Sequence, residues 1–123
     1  MEDKELEHYK NSIIENMKSV GTYKEEFMDI INSLAKIYYD YDDACYKFKQ
    51  SGSNFMIKHT NKSGATNIVK NPYYLVIEGL RQNILSYSRE LGLTPAGLKK
   101  INDKELIKSH KVSKLDKALD KFG

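Results

Sequence analysis

Apolar residues recur along this chain at alternating spacings of three and four, the pattern of helices that bury one stripe. Leu6, Tyr9, Ile13, Met17 and Val20 share one face and predict a first helix from about Asp3 to Ser19. Gly21 stops it, and Thr22 with Glu25 three residues on reads as a capping box for the next helix. That second helix is predicted from Tyr23 to about Lys49. Phe27, Ile30, Leu34, Ile37, Tyr41, Ala44 and Phe48 hold the alternation throughout, and Ile31, Tyr38 and Cys45 widen the stripe. At about 1.5 Å per residue such a helix is roughly 40 Å long. A compact globule of this chain length is only roughly 35 Å across. The protomer is therefore expected to be elongated, with its wide stripe buried partly against other copies of itself.

Ser51-Gly52-Ser53 breaks the second helix. Phe55-Met56-Ile57 and Ile68-Val69 are short strand-like runs around Asn61-Lys62-Ser63-Gly64, which predicts a β-hairpin at about 54–70. A lone hairpin is marginal in water, so it is expected to pack on the helices or on a neighbour's strands. Asn71-Pro72 opens a third helix, whose seam is Tyr73, Ile77, Leu80, Ile84, Tyr87 and Leu91. Gly92 followed by Leu93 reads as a left-handed cap, and Thr94-Pro95 starts a short helix to about Ile101. Asn102 with Glu105 reads as one more cap, before a tail striped with Val112, Leu115, Leu119 and Phe122. The fold class is mainly α: a long helical hairpin or bundle with a small β-hairpin. Residues 1–101 form the core, and residues 102–123 a basic amphipathic tail.

Charge divides the chain. Residues 1–51 sum to −4 and residues 52–123 to +7. An anionic polymer would be met by the second half. Lys58, Lys62, Lys70, Lys99 and Lys100, near the hairpin and the corner, are the candidate phosphate contacts. The acidic neighbours Asp40, Asp42 and Asp43 turn the second helix away from that role, although Gly21-Thr22 lies between two helices as in a helix-turn-helix. Lys36 with Asp40, and Asp43 with Lys47, read as surface ion pairs. Nine tyrosines are many for 123 residues. Those off the stripes, Tyr39 and Tyr46, are candidate subunit contacts. So are Arg81 and Arg89, eight apart on one face of the third helix.

The chemistry of an enzyme is missing. The single cysteine, Cys45, excludes an intrachain disulfide and a thiolate zinc site and reads as a small apolar residue. His8, His59 and His110 fall on separate elements, so no metal is expected. No phosphate loop or nucleophile signature occurs, and no cofactor is expected. No signal peptide opens the chain. The longest apolar run, Tyr73 to Ile77, is far too short to span a membrane.

The order of Asn71-Pro72, a long helix, Glu90-Leu91-Gly92-Leu93-Thr94-Pro95 and a short basic helix resembles the C-terminal half of phage terminase small subunits. Tyr38, Tyr41 and Ala44 on a long helix, then Gly52 and the hairpin, extend the resemblance upstream, so that it covers about Thr22 to Ile101. The resemblance implies a host-cytoplasmic, non-enzymatic protein that forms a homo-oligomeric ring. Such a ring binds double-stranded viral DNA where packaging starts and recruits the terminase large subunit, which carries the ATPase and nuclease. It makes Val112, Leu115, Leu119 and Phe122 candidate docking residues for that partner. Two rival readings are a small dimeric DNA-binding transcription regulator and a structural interaction module without affinity for DNA.

Overall fold

The computed structural model describes the backbone of residues 2–122, and the side chains of residues 2–108 and of Leu119. In chain order the elements are helix α1 (Glu2–Val20), helix α2 (Met28–Gln50), strands β1 (Met56–Thr60) and β2 (Thr66–Lys70), helix α3 (Pro72–Glu90) and helix α4 (Pro95–Phe122). A 3-10 turn, Glu25–Phe27, leads into α2. The mainly helical class and the small antiparallel hairpin expected from the sequence are both present.

α2 is the spine, about 34 Å long at about 1.5 Å per residue, with 23 residues. α3 lies antiparallel along it: Phe48 meets Tyr74 at one end, and Tyr41 meets Arg81 midway. α1 folds back over the other flank, where Tyr9 stacks on Tyr38 with ring centroids 6.0 Å apart. Ile13 and Met17 of α1, Ile31, Leu34 and Ala35 of α2, and Leu91 after α3 form the buried core. The wide stripe on α2 thus has two partners within the chain. Positions 34, 41, 44 and 48 follow the α3 side, and Ile31, Ala35 and Tyr38 follow the α1 side. Other copies are not needed to explain its width.

Ile30 departs from the expected seam. It is 36% exposed, whereas its neighbour Ile31 is 0% exposed. In the antiparallel pairing Ile30 falls opposite Gly92, where α3 has ended, so the seam runs out of partner there. Tyr73 is likewise exposed, and Tyr74 takes the inward place, in an aromatic cluster with Phe48 and Phe55.

Both ends of the α2–α3 pair are tied by a buried polar side chain. At the hairpin end, Asn71 caps α3 by accepting the Tyr73 N–H at 3.0 Å. Its amide also donates to the Asn54 carbonyl at 2.9 Å and to Ser51 Oγ at 3.2 Å, which joins the end of α2 to the hairpin's base. At the other end, the Thr22 hydroxyl donates to the Leu91 carbonyl at 2.8 Å. That bond corrects the expected Thr22–Glu25 capping box: the hydroxyl is used across the fold, and the 3-10 turn begins after Lys24 without a side-chain cap. The Asn102–Glu105 cap is also corrected, since α4 runs through both positions as one helix of 28 residues.

The surface ion pairs on α2 form as expected, Lys36–Asp40 at 3.2 Å and Lys47–Asp43 at 3.0 Å. Beside them the Tyr9 hydroxyl donates to the Asp42 carboxylate. That hydrogen bond, then burial, then the negative charges of Asp42 and Glu5 push the Tyr9 phenol up to about 12. The fold therefore favours the neutral phenol. Its contribution to stability is complete below the ordinary tyrosine value of about 10. It is lost as pH climbs towards about 12. In an ultraviolet titration the Tyr9 phenol should ionise near pH 12, and Asp42→Asn should lower that value. A Tyr9 phenol that ionises near the ordinary tyrosine value of about 10 would contradict this bond.

Candidate nucleic-acid interface

β1 and β2 pair with Met56 opposite Lys70, Lys58 opposite Ile68 and Thr60 opposite Thr66. Directly opposed side chains share a face, and the Thr60 and Thr66 hydroxyls meet there at 2.9 Å. That face carries Met56, Lys58, Ile68 and Lys70, all exposed, with Ile68 68% exposed. The opposite face holds Ile57 and Val69, the half-buried pair. At the tip, Asn61 Oδ1 accepts the N–H groups of Ser63 and Ala65, each at 3.0 Å, and Lys62 rides on this loop. The hairpin was expected to pack on helices or on a neighbour. Within the chain it is held chiefly at its base, by Asn71 and the Phe48–Phe55–Tyr74 cluster, and the rest stands in solvent.

Lys99 and Lys100 lie in the first turns of α4, at the far end of α3. With 19 residues, α3 separates them from the hairpin by about 28 Å. Within one protomer the five candidate lysines thus form two separate sets.

The second set sits at a tightly built corner. α3 ends in a left-handed cap: Gly92 has φ 71°, and the Leu93 N–H reaches back to the Ser88 carbonyl at 2.9 Å. A Cβ at Gly92 would stand 2.7 Å from Thr22 Cγ2 and 2.8 Å from Ile101 Cδ1. Thr94 then caps α4 by accepting the Gly97 N–H at 3.0 Å. A Cβ at Gly97 would stand 2.1 Å from the Arg89 carbonyl oxygen, so the backbone of α4 crosses directly on the last turn of α3. The α1–α2 turn, the end of α3 and the start of α4 enclose a groove of about 610 Å³. Lys24, Arg89, Lys100 and Lys104 line it together with Glu90 and Glu105, around Phe27, Ile30 and Ile101. A smaller cleft of about 390 Å³ between α1 and α2 is lined by Glu5, Asp42 and Asp43, a setting that repels phosphate.

A family model described as "Phage terminase, small subunit" matches residues 7–118, from the first turns of α1 far into α4. The chain belongs to the phage terminase small subunit family. No curated protein and no solved structure matches it significantly. Membership supports a role for this small terminase subunit in phage DNA packaging.

The remaining sequence candidates of the small terminase subunit fall in varied settings. Arg81 Nε donates to the Tyr41 hydroxyl at 3.3 Å, and that bond holds the guanidinium pKa above its usual range. Arg81 is thereby committed to α2 within its own chain. Arg89 is exposed beside the groove. Tyr39 is half-buried under Lys36, whose Nζ lies 4.7 Å from the ring centre, and Tyr46 is 62% exposed. Leu119 is exposed, whereas the side chains of Val112, Leu115 and Phe122 lie outside the described residues. Among the described residues no group of three or more His, Cys, Asp or Glu is placed to hold a metal, and no helix is long and apolar enough to cross a membrane. Lys24 and Lys104 were missed in the sequence. Lys104 had a signal, its spacing of four from Lys100, which the expected break at Asn102 concealed.

Proposed function

We propose that this small terminase subunit assembles into a closed ring, binds double-stranded viral DNA where packaging begins, and recruits the ATPase–nuclease large subunit. It performs no catalysis itself and acts in the host cytoplasm. The observation that carries this reading is the family match over residues 7–118. The +7 balance of residues 52–123 supports the DNA role, with Lys99 and Lys100, at the start of α4, as phosphate contacts. The exposed apolar residues Met56 and Ile68 support a hairpin that meets a neighbouring copy, and Tyr39, Tyr46 and Arg89 are further interface residues. Arg81, already bonded to Tyr41, serves an interface best by stiffening α3 against α2. On the tail, the exposed Leu119 supports docking of the large subunit, with Val112, Leu115 and Phe122 as its partners in that role.

The DNA role is tested by titrating the chain onto a labelled duplex over a range of salt. Binding should weaken linearly in log affinity against log salt, by about 0.9 for every phosphate neutralised. No duplex binding even at low salt would remove DNA from this reading.

A further inference from the structure

The continuity of α4 joins what the sequence divides. Lys100, Lys104 and Lys108 are spaced by four on one unbroken helix, so they share a face, and all three are exposed. At about 1.5 Å per residue they span about 12 Å. Positions 111 and 114, also lysines, continue the spacing by threes. At its base the stripe meets Arg89 and Lys24, which line the same groove as Lys100 and Lys104.

These charges are not balanced as those of α2 are. On α2, Lys36 and Lys47 each hold an acid one turn away. Among the described residues Lys100, Lys104 and Lys108 make no ion pair, and Glu105, which lies off the stripe, is drawn to Lys24 at 3.9 Å. Lys100 with Lys104, and Lys104 with Lys108, are like-charge neighbours one turn apart. Each such pair destabilises a helix. A polyanion laid along the stripe relieves that repulsion. The hairpin, by contrast, places only Lys58 and Lys70 on one face and interleaves them with exposed Met56 and Ile68, a mixture better suited to a protein neighbour.

We propose that the lysine stripe of α4, rooted in the Lys24–Arg89 corner, is the surface on which this chain holds the phosphate backbone of duplex DNA. Gly97 has a structural part in it. By letting α4 cross directly on the Arg89 carbonyl, it sets Arg89 and Lys100 around the same groove. The inference rests on the DNA-binding reading above and assigns it a surface.

The test compares three proteins on one labelled duplex of mixed sequence across a salt series. They are the parent, Lys100→Gln/Lys104→Gln/Lys108→Gln, and Lys58→Gln/Lys62→Gln/Lys70→Gln. Circular dichroism and native mass serve to match the folds. The α4 variant should bind roughly tenfold or more weakly, with a salt slope shallower by about 0.9 for each phosphate it no longer neutralises. The hairpin variant should keep the parent's slope. Loss confined to the hairpin variant would overturn the assignment and leave DNA binding intact. An α4 variant that binds like the parent would also overturn it. A parent that binds no duplex fails the DNA reading itself, and the surface with it.

Discussion

Leu34→Asp should leave the chain unfolded. Leu34 is 0% exposed, in one buried core with Ile13 and Met17 of α1 and Leu91 after α3. The substitution removes a buried leucine, which costs about 2–5 kcal/mol from transfer and cavity terms. It then leaves a carboxylate without a partner in an apolar core, which costs several kcal/mol more or forces its protonation. A domain holds only about 5–15 kcal/mol in total. Far-ultraviolet circular dichroism should show the helical signal abolished or greatly reduced. Ile30→Asp is the matched control four residues away, where the side chain opens into the corner groove, and it should keep the parent's helix content. Equal behaviour of the two variants would mean that the α2 faces are wrongly assigned.

The second large effect depends on which of two opposing terms wins. Glycine inside a helix is ordinarily worse than alanine by about 0.5–1 kcal/mol. Gly79, in the middle of α3, has nothing within 4 Å of a built Cβ, so Gly79→Ala should raise the melting temperature. Gly97 is also helical, but there the same methyl would lie 2.1 Å from a backbone oxygen, which no side-chain rotation can relieve. Forced repacking of that kind costs about 1–3 kcal/mol, which exceeds the gain in helix propensity. Gly97→Ala should therefore lower the melting temperature by several degrees and swing α4 away from Arg89. A rise comparable to that of Gly79→Ala would show that α4 does not cross on α3 as described.

Helix existence was legible because burial imposes a period. Ile13 and Met17 on α1, and Ile31 and Leu34 on α2, recur at helical spacing and are buried. Stops and starts whose partners are local were also legible: Gly21, Gly92, Asn71 and Thr94 act within a few residues of themselves. Residues whose partners are distant in sequence were misread. Thr22 has the spacing of a cap, but its hydroxyl is taken by Leu91, 69 residues away. Asn102 and Glu105 match the same cap pattern, yet α4 has already been started by Thr94 and nothing stops it at 102. Ile30 matches the seam, but the seam's partner ends before reaching it. For the candidate site, the sequence located the charge without its geometry. It joined Lys58 and Lys70 to Lys99 and Lys100, which stand at opposite ends of α3, and it overlooked Lys24 and Lys104, which only the corner brings together with Lys100.

In the proposed function, this small terminase subunit works as a closed ring of identical copies. Native mass spectrometry of the full chain at micromolar concentration tests it most directly. With a protomer of 14.2 kDa, a single closed species larger than a tetramer is expected. A monodisperse monomer would contradict it.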